Sequence, residues 1–172
     1  MAHLASTDCL TGLLNRHAFL ERAENARVAA QRQRQPLALM MIDIDHFKAI
    51  NDRWGHASGD EALVVFAQTA RQVMRGHETI GRLGGEEFAM MLPAASLEEA
   101  VQAAQRLRLA IRAATVITSG PSYTMTVSIG VVVLDPNEGL SDALARADHA
   151  LYTAKREGRD RVEIGDPLRR RA

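Results

Sequence analysis

Two adjacent carboxylates stand beside two glycines in the segment Gly84-Gly85-Glu86-Glu87. Strand-forming residues flank the segment at 79–83 and 88–92, and a Gly-Gly pair between such runs predicts a β-hairpin. A bend without side chains lets a large ligand lie against the backbone. Neighbouring carboxylates repel each other unless a cation joins them, and a divalent metal ion is the usual partner. The alternative is a solvated acidic turn, and the segment alone does not decide between the two.

A second group of residues suited to chemistry follows the apolar run 37–42, which is typical of a strand buried on both faces. Asp43 is expected to follow the strand out of the core, and Asp45 shares its face, so both are well placed to hold Mg²⁺. Further polar residues follow closely: Lys48, Asn51, His56 and Asp60. Phosphates attract cations, and a purine edge requires paired donors and acceptors. The alternative is that the acids only mark the solvated end of a strand.

Five motifs in register resemble those of the GGDEF domains, the diguanylate cyclase family. In chain order they are Asp8-Cys9-Leu10-Thr11-Gly12-Leu13-Leu14-Asn15-Arg16, Asp43-Ile44-Asp45-His46-Phe47-Lys48-Ala49-Ile50-Asn51-Asp52 with Gly55-His56 and Gly59-Asp60, Gly84-Gly85-Glu86-Glu87-Phe88, Val127-Ser128-Ile129-Gly130-Val131, and Ala147-Asp148-His149-Ala150-Leu151-Tyr152-Thr153-Ala154-Lys155-Arg156-Glu157-Gly158-Arg159. The third is the GGEEF form of the signature, which active members also use. The resemblance implies an α/β layered, palm-like nucleotidyl cyclase fold with a central, mainly antiparallel five-stranded sheet flanked by helices.

The resemblance also implies a reaction, in which two GTP molecules condense into cyclic di-GMP and release pyrophosphate. A transient homodimer would bring two half-sites together, each with two Mg²⁺ or Mn²⁺ ions. Asp43, the carbonyl group of Ile44 and Glu86 match the family's metal positions, and Glu87 is a further candidate ligand. Glu86 also matches the proton acceptor, and Lys48 matches a residue that stabilises phosphate charge.

Substrate contacts are implied for a further set of residues. The peptide groups of His46 and Phe47 would face the phosphates, and Gly84 and Gly85 would let the nucleotide pass. The remaining matches are Asn51 and Asp60 for guanine, His56 near the same pocket, and Lys155 and Arg159 for the β- and γ-phosphates. His56 could instead pack at a helix start. Cations at a helix C-terminus are also favourable through the helix dipole alone.

Many family members carry an inhibitory RxxD motif that binds the product. Here the corresponding residues are Arg75-Gly76-His77-Glu78, and the longer Glu78 side chain moves the carboxylate by about 1 Å or more. Arg106 is a secondary candidate for the same ligand. We expect weakened or absent product inhibition. The alternative is an ordinary helix-end charge pair between Arg75 and Glu78.

Helical periodicity and capping signals predict the elements that must position these residues. Helices are predicted at 17–34, from Ser58 or Gly59 to 75, from the Ser96 cap to 114, and from the Ser141 cap to the stop at Gly158. Strands are predicted at 37–42, 79–83, 88–92, 125–134 and 161–164. Strands interleaved with helices, plus one hairpin, favour α/β layers on a mainly antiparallel sheet.

The composition sets the class of protein. The 172 residues amount to one domain, and 47% are hydrophobic, which is enough for a core. Twenty-one basic residues balance 21 acidic ones, so no nucleic-acid partner is indicated. Cys9 is alone, so no internal disulfide forms, which suits a reducing compartment. No apolar stretch approaches the ~20 residues of a membrane span.

The resemblance implies a bacterial protein, and together with the composition it predicts a cytoplasmic protein or the cytoplasmic domain of a larger one. Residues 1–166 are interpreted as a single catalytic domain, and 167–172 as a disordered basic tail. A sensory domain, usual upstream in the family, is expected to be absent from this chain. The rival function is a non-catalytic module that binds GTP or cyclic di-GMP, but the signature residues are intact. A different palm-fold cyclase is disfavoured by the guanine pair Asn51 and Asp60.

Overall fold

The computed structural model describes residues 5–168 of the chain. Within that range the elements are α1 (Arg16–Gln33), β1 (Leu37–Ile44), α2 (Phe47–Trp54), α3 (His56–Val73), β2 (Thr79–Gly84), β3 (Glu87–Pro93), α4 (Leu97–Ala113), β4 (Thr115–Val116), β5 (Tyr123–Thr124), β6 (Val127–Val133), α5 (Leu140–Arg156) and β7 (Val162–Ile164). Residues 169–172 of the predicted basic tail lie outside the described residues.

Five of the strands form one sheet in the order β2-β3-β1-β6-β7. The β2–β3, β3–β1 and β1–β6 pairs are antiparallel, whereas β6 and β7 are parallel and are joined through α5. Strands β4 and β5 form a separate two-stranded pair. The prediction of a mainly antiparallel five-stranded sheet flanked by helices is therefore confirmed.

Strand β1 is buried along its whole length because helices cover both faces of the sheet. Leu37, Leu39 and Met41 pack with residues of α1 and α5, and the alternate residues of β1 pack with residues of α2, α3 and α4. Side chains alternate along a strand, so Asp43 and Asp45 continue the face that α1 and α5 cover. This alternation directs both carboxylates toward the C-terminal end of α5.

Helix α5 lies directly on β6 at Gly130. A Cβ atom at that position would meet the carbonyl oxygen of Ala147 at 2.2 Å and the amide nitrogen of Leu151 at 2.5 Å. Only glycine allows the two backbones to approach so closely. This close contact places the C-terminal end of α5 beside the end of β1.

Several predicted boundaries differ from the structure. Helix α2 was not predicted, and α3 begins at His56 rather than at Ser58 or Gly59. The N-cap of α5 is Gly139, so Ser141 lies inside the helix instead of capping it. The strand predicted at 125–134 spans Val127–Val133. The Ser96 cap of α4 is confirmed, since its side chain accepts a hydrogen bond from the backbone N–H of Glu99.

The helices give no indication of a membrane span. Within residues 5–168, none combines the length and the apolar character that crossing a bilayer requires.

Candidate active site

The hairpin between β2 and β3 carries the two adjacent carboxylates. Gly84 pairs with Glu87, so the turn itself consists of Gly85 and Glu86 rather than of the two glycines. Of the two glycines only Gly85 has a positive φ, +35°. The register shifts between Arg82 and Gly84. Both glycines are exposed and no atom lies within 4 Å of a Cβ built on either, so their backbone is open to a ligand.

The N-terminal motif supports this turn through Arg82. The guanidinium Nε of Arg82 donates to the carbonyl oxygen of Gly85 at 2.9 Å, and its Nη1 lies 3.2 Å from Asp8 Oδ1. Burial alone would raise the pKa of Asp8, but hydrogen bonds from Thr11 and the charge of Arg82 together lower it. A residue near the start of the described chain therefore helps to fix the backbone of the turn.

Asp43 lies inside β1, paired with Glu87 of β3 and Ser128 of β6. The side chain is buried, with 4% of the residue exposed, so the expectation that it follows the strand out of the core is wrong. The pKa of Asp43 is raised to about 6, first by burial and then by the charges of Glu86 and Glu87, against the opposing effect of Lys155. Lys155 Nζ donates to Asp43 Oδ2 at 2.6 Å.

These carboxylates fit a divalent metal ion. A buried carboxylate with a raised pKa and two carboxylates nearby is stabilised by an added cation. Within residues 5–168, no three His, Cys, Asp or Glu side chains form a complete protein metal site. Mg²⁺ does not need one, because it takes one or two carboxylates together with water and substrate phosphates. Asp43 and Glu86, with the carbonyl group of Ile44, are the residues that would hold it.

A cleft of about 290 Å³ joins the metal candidates to the phosphate candidates. Its lining includes Asp43, Ile44, Asp45, His46, Phe47, Lys48, Glu86, Lys155 and Arg159. Helix α2 begins at this cleft, and its N-cap, His46, adopts a left-handed conformation with φ 56° and makes no side-chain cap. Free N–H groups at a helix N-terminus bind anions, so the cleft offers backbone donors as well as cations to a phosphate.

The predicted guanine residues lie beside this cleft and not in its lining. Asn51 is half-buried on α2, while His56 and Asp60 are exposed on the first turns of α3. Gly59 fixes the position of the Asn51 amide, since a Cβ atom on Gly59 would lie 1.9 Å from Asn51 Oδ1. His56 is exposed, and so the alternative of a packed histidine is not supported.

One carboxylate has a different role from the one its position in the sequence indicates. Asp45 is buried and accepts hydrogen bonds from Ser128 Oγ at 2.6 Å, Thr126 Oγ1 at 2.7 Å and the backbone N–H of Asp160 at 3.0 Å. Three donors leave little acceptor capacity for a metal ion. Sequence reasoning missed the contacts of Thr126, Ser128 and Asp160 with Asp45. The first two depend on the register of β6 against β1, and the third depends on the path of the turn after α5.

The residues of the altered inhibitory motif line a second cleft, of about 280 Å³. Arg75, Glu78 and Arg106 all contribute to it. Glu78 Oε2 accepts from the backbone N–H groups of Arg75 and His77, each at 3.1 Å. No ion pair joins the Arg75 and Glu78 side chains in the part of the chain described here, so the alternative of a simple helix-end charge pair is not supported.

Comparison with known proteins agrees with the geometry. The family model "Diguanylate cyclase, GGDEF domain" matches residues 5–161. The diguanylate cyclase DgcP of Pseudomonas aeruginosa is 46% identical over 160 residues, which cover 93% of this chain and 24% of that protein. The chain thus spans about a quarter of the length of this curated relative.

Two solved structures are similar across nearly the whole chain. The GGDEF domain of DgcB from Caulobacter crescentus, in complex with c-di-GMP, has a TM-score of 0.90 at 34% identity and covers 95% of this chain and 98% of its own. The active GGEEF domain of a diguanylate cyclase from Vibrio cholerae has a TM-score of 0.84 at 36% identity, covering 90% and 99%. With the family model matching residues 5–161 and these structures sharing the fold, the chain belongs to the GGDEF domain family of diguanylate cyclases.

Proposed function

We propose that this chain condenses two molecules of GTP into cyclic di-GMP and releases pyrophosphate. The observation that carries the proposal is the convergence of Asp43, Glu86 and Lys155 on one cleft that also contains the N-terminus of α2. Carboxylates for a divalent metal, a cation and free backbone N–H groups are the parts that nucleotidyl transfer needs.

The reaction forms one phosphoester bond and breaks one phosphoanhydride bond for each GTP. The 3′-hydroxyl oxygen of one GTP attacks the α-phosphorus of the other, and the bond to the β-phosphate breaks as pyrophosphate leaves. Glu86, half-exposed at the tip of the hairpin, is the proposed acceptor of the hydroxyl proton. Two divalent ions at Asp43, Ile44 and Glu86, with Glu87 as a further candidate ligand, would lower the hydroxyl pKa and stabilise the leaving pyrophosphate.

The phosphates are held by charge and by backbone donors. We propose that Lys48 stabilises negative charge as the bonds exchange, and that Lys155 and Arg159 bind the β- and γ-phosphates. The backbone N–H groups at His46 and Phe47 face the same groups. Lys155 donates to Asp43 in this structure, and we propose that its ammonium group moves to the phosphates when nucleotide and metal enter.

Selectivity for guanine is proposed to come from Asn51 and Asp60, with His56 near the base or ribose. The Asp60 carboxylate can accept from both N1–H and N2–H₂ of guanine, whereas adenine offers no such pair of donors. Gly84 and Gly85 leave space for the nucleotide along the hairpin. One site holds one GTP, so a transient two-fold dimer of this chain is proposed to bring two sites face to face.

The test uses purified protein with GTP and Mg²⁺ or Mn²⁺, and identifies the products by mass spectrometry. We expect cyclic di-GMP from GTP and no turnover of ATP. Asp43→Asn and Glu86→Gln should each abolish turnover, because losing a metal ligand removes several kcal/mol of transition-state stabilisation. GTP bound without product, at high protein concentration, would instead assign the chain to the non-catalytic binding modules.

Glu138→Gln is the matched control for Asp43→Asn. Glu138 is also a buried carboxylate, with 2% exposed, and it pairs with Arg146 at 2.7 Å. It follows β6 at the opposite end of the sheet, where Val133 pairs with Ala38. Glu138→Gln should lower stability and leave the rate per folded molecule unchanged. Equal loss of activity in both variants would mean that Asp43 acts through stability and not through a metal ion.

We also propose that the cleft of Arg75, Glu78 and Arg106 binds the product only weakly. Arg75 can form two hydrogen bonds to a phosphate or stack on guanine. The Glu78 carboxylate already accepts two backbone N–H groups, which reduces what it can offer to a guanine edge. Calorimetry with cyclic di-GMP should show weak binding that Arg75→Ala removes and that Arg22→Ala, an exposed residue of α1, does not. Tight binding by the unmodified protein would contradict the weakening.

A further inference from the structure

We propose that Asp45 is a positioning residue that holds the turn carrying Arg159 in its phosphate-binding conformation, and that it is not a metal ligand. The inference rests on the phosphate role proposed above for Arg159. It concerns the second aspartate after the β1 apolar run, which the sequence presents as an equivalent of Asp43.

The hydrogen bonds of Asp45 point away from metal chemistry. Its Oδ1 accepts from Ser128 Oγ at 2.6 Å, and its Oδ2 accepts from Thr126 Oγ1 at 2.7 Å and from the N–H of Asp160 at 3.0 Å. Its own N–H donates to the carbonyl oxygen of Thr126 at 2.9 Å. All these partners belong to β6, to the residue before it or to the turn after α5. Asp45 therefore links β1 to two distant segments of the chain.

The turn that Asp45 holds has an unfavourable backbone. Gly158, Arg159 and Asp160 all have positive φ values, of 123°, 61° and 45°. Two consecutive non-glycine residues in the left-handed region cost free energy and persist only where surrounding contacts fix them. One such contact is the Asp160 N–H on Asp45, and another is the N–H of Arg159 on the Ala154 carbonyl at 2.9 Å.

The far side of the same turn is fixed by α4. Arg108 Nη1 lies 2.9 Å from Asp160 Oδ1, and Arg112 Nη1 lies 3.3 Å from Asp160 Oδ2. Asp160 thus bonds to Asp45 with its backbone and to α4 with its side chain. Arg159, between Asp160 and the end of α5, lines the phosphate cleft, so its position depends on both anchors.

Removing the Asp45 carboxylate should release the Asp160 N–H and let the turn relax toward negative φ. Arg159 would then leave its phosphate position. Because the variant acts through Arg159, Asp45→Ala should weaken GTP binding about tenfold, the value of a lost charged hydrogen bond. Asp45→Asn keeps one acceptor oxygen for Thr126 and Asp160, and its amide can donate to Ser128 Oγ, so it should bind GTP almost normally.

The experiment is a double-mutant cycle on the intact chain, with affinity for a non-hydrolysable GTP analogue measured by calorimetry and KM and kcat measured in parallel. Asp45→Ala, Arg159→Ala and the double variant are compared. We expect the double variant to bind no more weakly than Arg159→Ala alone, because the two residues act as one unit. Glu138→Gln serves as the control for loss of a buried carboxylate and should leave nucleotide affinity unchanged.

Two results would overturn the inference. One is additivity, with the double variant weaker by the product of the two single effects. The other is an Asp45→Asn variant that is as inactive as Asp43→Asn and that has lost binding of Mn²⁺ alone. If Asp45→Ala does not fold, Thr126→Val takes its place in the double-mutant cycle. This substitution keeps the shape of the side chain and removes one hydrogen-bond donor to Asp45. Because the analogue reports binding without turnover, an inactive chain that still follows the cycle would contradict the proposed cyclase activity and not the positioning role.

Discussion

Gly59→Ala should disable the proposed recognition of guanine while leaving the fold intact. The new Cβ atom would lie 1.9 Å from Asn51 Oδ1 and 2.9 Å from Asn51 Cγ. Ordinary contacts begin near ~3.4 Å, so the amide oxygen must move by about 1.5 Å. Hydrogen bonds lose their geometry over much smaller displacements, because N–H···O distances span only about 2.7–3.2 Å. The amide of Asn51 would therefore leave its proposed position against guanine.

The magnitude follows from the displacement. A misplacement of about 1 Å at a substrate-positioning group can cost about 10²-fold in rate, so kcat/KM for GTP should fall by roughly 10- to 100-fold. Stability should change little, since Gly59 lies in helix α3 without a positive φ, and alanine is the better helix former by up to about 1 kcal/mol. Steady-state kinetics with GTP and thermal denaturation of the same samples measure the two effects separately.

A double-mutant cycle that combines Gly59→Ala with Asn51→Ala decides whether displacement of the Asn51 amide causes the loss of kcat/KM. Of the three atoms nearest to the new Cβ, only Phe47 Cζ at 3.2 Å remains once the Asn51 side chain is truncated, so Gly59→Ala should cost much less in the Asn51→Ala variant. Gly139→Ala is the matched control, because no atom lies within 4 Å of a Cβ there. Unchanged kcat/KM for GTP in Gly59→Ala would refute the reasoning, and so would an equal loss in both backgrounds.

Three further outcomes are expected. Asp8→Asn should lower the melting temperature at neutral pH, because the lowered pKa of Asp8 means that its carboxylate stabilises the fold above the ordinary pKa of 3.8. That contribution is lost as pH falls through the lower pKa of the folded state, so the melting temperatures of the variant and the unmodified protein should converge in acid. A difference in melting temperature that does not change with pH would argue against the Asp8–Arg82 pair. Gly130→Ala should lower the free energy of unfolding in urea by about 3 kcal/mol or more, since the new Cβ meets backbone atoms of Ala147 and Leu151 that cannot rotate away; a wild-type midpoint would contradict this contact. The rate should rise faster than linearly with enzyme concentration if the free chain is monomeric, and constant specific activity from a sedimenting monomer would exclude the dimer of half-sites.

The sequence predicts the central strand correctly, but it does not predict that Asp43 near the end of this strand is buried. An uninterrupted apolar run marks β1 because helices cover both faces of the sheet. The strand continues through Asp43, whose backbone pairs with Glu87 and Ser128 and whose charge is met by Lys155. Lys155 is 112 residues away, so no local pattern shows that an aspartate can be buried there.

Local sequence patterns also do not predict a short helix or a helix capped by glycine. Helix α2 has eight residues, and its apolar residues Phe47, Ile50 and Trp54 cover only about two turns, which is too short a segment for helical periodicity to be recognised. For α5, residue type favours Ser141 as the cap, whereas the N-cap in the structure is Gly139, which has no side chain to cap the helix. The site motifs gave the residues of the cleft, but the separation of roles between Asp43 and Asp45 required the register of β6.

The sequence distance between Asp43 and Lys155 has a practical consequence for dividing the chain. A cut in the loop between β4 and β5 would leave Asp43 and Glu86 on one fragment, and Lys155 and Arg159 on the other. Strand β6, which pairs with β1 in the middle of the sheet, would belong to the second fragment. Neither fragment would hold a complete cleft, so the proposed synthesis of cyclic di-GMP would require the two to reassemble. Fused to two candidate binding partners, the fragments would form a split reporter that turns their association into a diffusible nucleotide signal.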